Sequence, residues 1–329
     1  MQKITAILSI FIVLTACSMG KKENNSENTA SESVPKVSFS ADSAYHYVKK
    51  QVVFGPRVPN TEAHTRTAQW LVSELSRHGA KVTEQKADLK AFDGTVLHAV
   101  NIIGQYNPDS PDRILLLAHY DTRPWADEDP DPAKHKMPIP GANDGASGVG
   151  VLLEIARQLN ANNPNVGVDI LFVDAEDWGS HDDDDSWALG TKYFAENPFI
   201  PGYSPSHAIL LDMVGGRGSC FYREHFSQQA APQIIDKVWA HAADAGFSDR
   251  FINSLGGAVT DDHVPLINAG IPAIDIIGFE PNEGFPSTWH TMADDMNDID
   301  PETLRVVGQT LLNYLLPNNH RCCISTRRR

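Results

Sequence analysis

Four apolar runs of strand length recur along this chain of 329 residues, and each leads towards acidic residues or a histidine. They are Ile114 to Asp121, Val168 to Asp177, Ala208 to Met213 and Ile271 to Ile277. Helical patterns lie between them, and strands that alternate with helices are typical of a parallel sheet covered on both faces. We therefore expect an α/β fold: a single domain with a central, mostly parallel mixed β-sheet and helices on both faces.

Five potential metal ligands follow one another along these runs: His119, Asp144, Asp177, Asp212 and His290. In such folds, sites lie at the carboxyl ends of the strands, where most of these residues fall. Imidazole nitrogen and carboxylate oxygen both bind zinc, and a catalytic zinc keeps one position open. One such residue would mean little, but five in this order predict a metal site.

Asp144 and His290 are the strongest candidates for ligands. Asp144 lies in the turn IPGANDGASG, where Gly141 and Gly145 allow the backbone to approach a metal closely. His290 is followed by an acidic stretch with Asp294 and Asp295, which could supply an acceptor for the imidazole N–H. The alternatives are a capping role for Asp144 in its turn and an ordinary loop position for His290.

Two pairs of adjacent carboxylates suggest proton chemistry. In Glu176-Asp177 one side chain can bind a metal while its neighbour, with a raised pKa, acts as general base. The alternative is a solvated acidic turn. Asp261 and Asp262 form the second pair, which could share a proton with the first or serve only as a cap.

His119 and Asp212 leave two possibilities open. They could complete a second metal site, or they could stay metal-free and hydrogen-bond to Glu176 and Asp261.

Two further features lie near the expected site. The run Asp182–Asp185 lacks the spacing and the glycine of an EF-hand, so we expect a solvated loop. Trp289 directly precedes His290 in a loop that contains proline, and we expect it to line the pocket.

The ends of the chain differ in composition from the rest. Lys3, the apolar stretch Ile4 to Leu14 and the sequence LTAC indicate a secretory signal. Its apolar core is too short for a permanent span of about 30 Å. LTAC resembles a bacterial lipobox, which implies a lipid anchor on Cys17; the alternative is an ordinary cleaved signal. We therefore predict four segments: a signal peptide (1–17), a flexible tether (18–37), a catalytic domain (38–318) and a disordered basic tail (319–329).

Charge and cysteine usage exclude some classes of function. The formal charge of −15 argues against nucleic acid as a partner and against direct binding to anionic lipid. The four cysteines do not form the pattern of a disulfide framework.

Several motifs occur in the order found in the zinc aminopeptidase superfamily: HYD, GANDGASGVGVLLEIAR, VDAED, LLDMVG, DDHVP and WHTMADDMNDID. Within it, the chain most resembles the glutaminyl cyclases of the animal and Bacteroidetes type, from about Phe39 to Leu316. Four features favour the cyclases: FGPR at Phe54 to Arg57, DDH at Asp261 to His263, the tryptophan before His290, and the insert after Asp177.

The resemblance implies one zinc per chain, held by Asp144, Asp177 and His290. It implies Glu176 as general base and acid, and an N-terminal glutamine that closes to pyroglutamate with release of ammonia.

The resemblance also makes Asp212 and Asp261 proton-sharing partners of the base, and Trp289 a wall of the pocket. The family often has glutamate at the position of Asp177, and the animal enzymes carry a tryptophan where this chain is acidic, near Asp182. All ligand types of a two-zinc peptidase are present, so a dinuclear aminopeptidase is an alternative function, and a non-catalytic binding lipoprotein is a second. The implied partners are peptides and exported proteins that begin with glutamine. We expect a monomer anchored in the bacterial cell envelope and facing the periplasm.

Overall fold

The computed structural model describes residues 37–279 and 284–316, which belong to one compact unit, Lys36–Arg329. The predicted signal peptide and basic tail, and nearly all of the tether, lie outside the described residues. Among the helices that are described, none has both the length and the apolar character needed to cross a bilayer.

The described residues contain eight strands, eight α-helices and two short 3-10 helices. The strands are β1 (Lys81–Lys90), β2 (Val96–Tyr106), β3 (Arg113–His119), β4 (Gly167–Val173), β5 (His207–Asp212), β6 (Phe221–Arg223), β7 (Phe251–Leu255) and β8 (Ala273–Ile277). The helices are α1 (Ala41–Phe54), α2 (Glu62–Arg77), α3 (Ala146–Asn162), α4 (Leu189–Glu196), α5 (His225–Ala230), α6 (Pro232–Asp244), α7 (His263–Asn268) and α8 (Pro301–Leu315).

Six of the strands form a mixed sheet in the order β1-β2-β4-β3-β5-β8. The four neighbours β4, β3, β5 and β8 run parallel, so their carboxyl ends meet at one edge. β1 and β2 form an antiparallel pair at the side of the sheet, and β2 is also antiparallel to β4. The predicted fold class is confirmed.

Side chains alternate between two buried cores along the central strands. On β3, Leu116 and Ala118 pack in the larger core, which includes residues of α1, α3 and α8. Leu115 and Leu117 pack in the smaller core on the opposite face, with Phe194 of α4. Because both faces are covered, these strands have the continuous apolar sequences that the sequence shows.

Four short elements were absent from the sequence prediction: β6, β7, α5 and α7. Each spans six residues or fewer, which is too short for a period to be read. β6 and β7 form a separate parallel pair next to the main sheet. Helical apolar spacing in the sequence predicts a helix from Thr61 to His78, where α2 lies. Thr61 caps it, and its hydroxyl accepts from the His64 N–H at 3.2 Å.

Candidate metal and acid–base site

The ends of the parallel strands bring the predicted residues to one place. His119 is the last residue of β3, and Asp212 is the last residue of β5. Glu176 and Asp177 follow β4 by three and four residues. Asp144 lies in the turn that leads into α3. His290 belongs to the loop before α8.

Asp144, Asp177 and His290 form a buried cluster whose ligand atoms all lie within 4.8 Å of one another. His290 Nε2 is 3.3 Å from an oxygen of Asp177 and 3.6 Å from one of Asp144. Both side-chain oxygens of Asp177 are buried and have no hydrogen-bond partner. Burial lowers the pKa of His290 to about 3, so its imidazole is neutral and has a lone pair to share.

His119, Asp144 and Asp212 form a second cluster that shares Asp144 with the first. His119 Nε2 lies 3.0 Å from Asp144 Oδ1 and 3.3 Å from Asp212 Oδ1. Burial opposes its charge, but hydrogen bonds to carboxylates raise the pKa of His119 well above its usual range. The metal-free prediction named Glu176 and Asp261 as partners; the structure instead pairs His119 with Asp144 and Asp212.

Glu176 and Asp261 line the same cavity, beside the metal cluster. Burial, together with the charges of Asp261 and Asp177, raises the pKa of Glu176 well above its usual range, against the effect of His119. Burial likewise raises the pKa of Asp261 to about 7 and that of Asp212 to about 6. Carboxyl groups in this state can exchange protons near neutral pH.

Two aspartates hold the backbone of the site. The carboxylate of Asp121 accepts from the N–H groups of Glu176 and Asp177, both at 3.2 Å, which fixes the acidic pair. Asp294 accepts from the N–H groups of Asn143 and Asp144, at 2.7 and 3.1 Å.

In the described part of the chain, His290 Nδ1 has no hydrogen-bond partner, so the expected contact of its imidazole with Asp294 or Asp295 is wrong. Among the described residues, Asp127 is the carboxylate closest to His290 Nδ1, at 3.6 Å.

Four non-glycine residues with left-handed backbone surround the site: Ala175, Ala188, Met213 and His290, with φ between 47° and 56°. Ala175 precedes Glu176, and Met213 follows Asp212. This conformation costs about 1–2 kcal/mol per residue for an L-amino acid, so the surrounding packing must impose it.

A cavity of about 280 Å³ opens over these groups. Its walls include Trp289, as expected, which stacks on His290 with ring centroids 3.6 Å apart. The acidic loop contributes Trp187, Asp184 and His181. His181 was not among the predicted site residues. Trp187 is one of several aromatic residues that the sequence places in or near the loops at the mouth of the site, and it gives the pocket a tryptophan from the acidic loop.

The donor set suits zinc. Asp144, Asp177 and His290 supply two carboxylates and one imidazole, which are the ligand types of a catalytic zinc with an open position. The oxygens of buried Asp177 have no hydrogen-bond partner, and Arg123 Nη1 is 3.7 Å from Oδ1. This supports the fit, because buried polar atoms otherwise find hydrogen-bond partners. In the second cluster, His119 lies between the carboxylates of Asp144 and Asp212. A protonated His119 would neutralise part of the negative charge of these carboxylates without a metal ion.

Comparison with known proteins extends this picture. Residues 101–315 match the model of peptidase family M28. The chain is 52% identical to the crystal structure of Bacteroides thetaiotaomicron glutaminyl cyclase bound to N-acetylhistamine, with a TM-score of 0.83, over 85% of this chain and 99% of that one. It is 51% identical, with a TM-score of 0.84, to a Zn-dependent exopeptidase from Parabacteroides distasonis, over 87% of this chain and 100% of that one.

A curated relative is more distant. Bovine glutaminyl-peptide cyclotransferase is 24% identical over 255 residues, and the match spans 67% of this chain and 66% of that protein.

The fold and the site together define an α/β protein with a buried carboxylate–histidine cluster at the strand ends that could hold a metal ion. The chain belongs to peptidase family M28. The resemblance to glutaminyl cyclases stated from the motifs is confirmed.

Proposed function

We propose that the chain is a zinc-dependent glutaminyl-peptide cyclotransferase, which converts an N-terminal glutamine to pyroglutamate and releases ammonia. The observation that carries this proposal is the juxtaposition, in one aromatic cavity, of the Asp144–Asp177–His290 cluster with the protonatable Glu176. Sequence identity of 52% to a bacterial glutaminyl cyclase, over 85% of this chain, supports it.

One zinc, held by Asp144, Asp177 and His290, would supply Lewis acidity to the γ-carboxamide oxygen. Glu176 accepts a proton from the substrate's α-amino nitrogen as that nitrogen bonds to the carbonyl carbon of the γ-carboxamide, which closes a five-membered ring. The same carboxyl then donates the proton to the amide nitrogen, which leaves as ammonia. Asp212 and Asp261 lie in the same cavity and share the proton.

The aromatic wall suits a reaction that uses no water. Phe279 meets Phe285 edge to face, with ring centroids 4.9 Å apart, and Phe285 stacks on Trp289 at 4.3 Å. Trp187 stacks on His290 with ring centroids 6.0 Å apart. Because the nucleophile is part of the substrate, holding the glutamine in a folded geometry contributes much of the rate. Exclusion of water disfavours hydrolysis of the amide to glutamate.

A dinuclear aminopeptidase is the second candidate, because His119, Asp144 and Asp212 also lie close enough to hold an ion. The similarity to a Zn-dependent exopeptidase supports this second candidate. If the chain is a cyclase with one zinc, His119 stays hydrogen-bonded to Asp144 and Asp212, and this second cluster holds no metal.

One assay separates these functions. The purified chain is given Gln-initiated peptides and, separately, leucine and methionine amides, and its zinc content is measured. We expect ammonia from the Gln peptides, poor hydrolysis of the amides and one zinc per chain. Efficient hydrolysis with two zinc ions would identify a peptidase. A zinc-loaded protein that turns over neither substrate would support the binding-module alternative.

We also propose that the enzyme is exported, lipid-anchored through Cys17, and acts as a monomer in the cell envelope on exported polypeptides that begin with glutamine. The sequence LTAC carries the anchor. Replacing Cys17 with serine should abolish incorporation of labelled fatty acid and release the protein from membranes. Sedimentation of the enzyme at two concentrations tests the monomer.

A further inference from the structure

The guanidinium of Arg57 is fully buried beneath the proposed zinc site. It belongs to the FGPR segment between α1 and α2, and it donates three hydrogen bonds to backbone carbonyls. Nε donates to Tyr120 at 3.2 Å, Nη1 to Pro140 at 2.6 Å and Nη2 to Gly141 at 2.5 Å. Within the described part of the chain, no carboxylate lies within ion-pair distance of it.

These carbonyls belong to two segments that carry site residues. Tyr120 follows His119 at the end of β3. Pro140 and Gly141 begin the turn that presents Asp144, and Gly141 has φ +62°. A Cβ at Gly141 would lie 2.8 Å from Arg57 Nη2, so the turn approaches the guanidinium as closely as only glycine permits.

The same turn is held from its other side. Asp294 accepts from the N–H groups of Asn143 and Asp144, while Arg57 donates to the carbonyls that precede them. The turn therefore has an anion on its N–H groups and a cation on its C=O groups.

A buried charge without an ion-pair partner is costly. Burial lowers the pKa of Arg57 to about 10, and the charges of Asp294, Asp121 and Asp144 oppose this effect. Arginine stays protonated at neutral pH even so, and it presents a rigid fork that lysine cannot reproduce.

We propose that Arg57 is a positioning residue, whose fork of three hydrogen bonds holds the Pro140–Asp144 turn against the end of β3 and so sets the affinity for zinc. The inference rests on Asp144 being a zinc ligand, as in the proposed function. The geometry of the fork, not its charge, is the part that matters. A positive charge alone repels the metal ion, so it cannot explain an increase in affinity.

Two substitutions separate geometry from charge. Arg57→Lys keeps the charge and loses the fork, whereas Arg57→Met loses both. Zinc affinity of the full chain is measured by competition with a chromophoric chelator, at a temperature where circular dichroism shows each variant folded. We expect both variants to bind zinc at least about tenfold more weakly, because small displacements of a ligand-bearing segment weaken a metal site strongly.

Arg113→Lys is the matched control. Arg113 is also buried and donates to the carboxylate of Asp169 and to the carbonyl of Asn107, at the opposite end of β3. Its substitution should lower the unfolding temperature and leave zinc affinity within about twofold. Asp144→Asn checks the premise: if it keeps full zinc affinity, the ligand assignment fails, whatever Arg57 does.

The inference is overturned if Arg57→Lys binds zinc like the parent, or if Arg57→Met binds it more tightly, which would show a charge effect only. If Arg57→Met does not fold, Arg57→Lys decides. If neither folds without zinc, the rate at which a chelator extracts zinc from variants purified in zinc replaces the equilibrium measurement, and an unchanged rate contradicts the inference. None of these readouts needs turnover, so a failure of the cyclase assay leaves the result readable.

Discussion

Gly148 lies where α3 passes closest to the ends of two strands that carry site residues. A Cβ at this position would lie 2.9 Å from Ala118 Cβ and still closer to the carbonyl oxygen of Leu211. The optimum separation of two carbon atoms is about 3.5–4.0 Å. Gly148→Ala must therefore move the helix by roughly 0.6–1 Å, since neither neighbour can rotate away.

The magnitude follows from two opposing effects. Alanine stabilises a helix by about 1 kcal/mol relative to glycine, and overpacking of a rigid core costs about 1–3 kcal/mol or more. We expect a net loss of up to about 2 kcal/mol, or about 4 °C in Tm for a domain of this size. The movement also separates Asp144 from Asp212, and a displacement of about 1 Å in a catalytic site can cost about 10²-fold in kcat/KM.

Gly150→Ala is the control for this prediction. Its Cβ would lie 2.6 Å from Val48 Cγ2 and 3.0 Å from the carbonyl oxygen of Ala44, between α1 and α3 and away from the strand ends. Calorimetry should show a similar loss for both variants, whereas cyclase assays at 25 °C should show a large loss only for Gly148→Ala. Equal activity losses in the two variants, or full activity in Gly148→Ala, would refute this reasoning.

Four other substitutions test the site and its support. Glu176→Gln should retain zinc but lose at least about 10²-fold in kcat, whereas Asp177→Asn should bind zinc more weakly and recover activity with added zinc; the reverse pattern in metal analysis would exchange their roles. Glu224 has a pKa near 2, because its bonds to His263 and Ser227 outweigh burial. Because this pKa is depressed, ionised Glu224 stabilises the fold fully above about pH 4.5, and the stabilisation is lost as the pH falls towards 2. Glu224→Gln should therefore lower the free energy of unfolding of zinc-free protein at pH 7 by up to about 3 kcal/mol. Urea titrations should also show a weaker dependence of stability on pH below about 4.5. Trp187→Ala should raise KM for Gln peptides about tenfold with less effect on kcat, as expected for loss of one aromatic contact; an unchanged KM would remove Trp187 from the substrate pocket.

The sequence contains enough to predict the sheet and the order of the candidate site residues. Buried parallel strands give continuous apolar runs, and the residue after each run falls at a common edge. His119, Asp177 and Asp212 were found in this way. Asp144 was found from its glycine-rich turn, which has a local signature in the sequence.

Contacts between distant loops could not be read in the same way. Asp294 was assigned to His290 because the two are close in sequence, yet its carboxylate binds the turn at Asp144. Trp187 and His181 enter the pocket because the acidic loop folds back through a short 3-10 helix, Asp184–Ser186, which no periodicity announces. Such contacts depend on tertiary geometry, and a single sequence does not record them.

The residues with left-handed backbone beside the site should make local stability lower there than in the central sheet. Ala175, Met213 and His290 are held in a conformation they would leave if their packing loosened, while the central strands have no such tendency. Local opening should therefore start at the loops that carry the proposed ligands and reach the sheet last. A metal ion bound at these loops would then slow hydrogen exchange there first. It would stabilise the part of the molecule that opens most easily, next to a sheet that is stable without it.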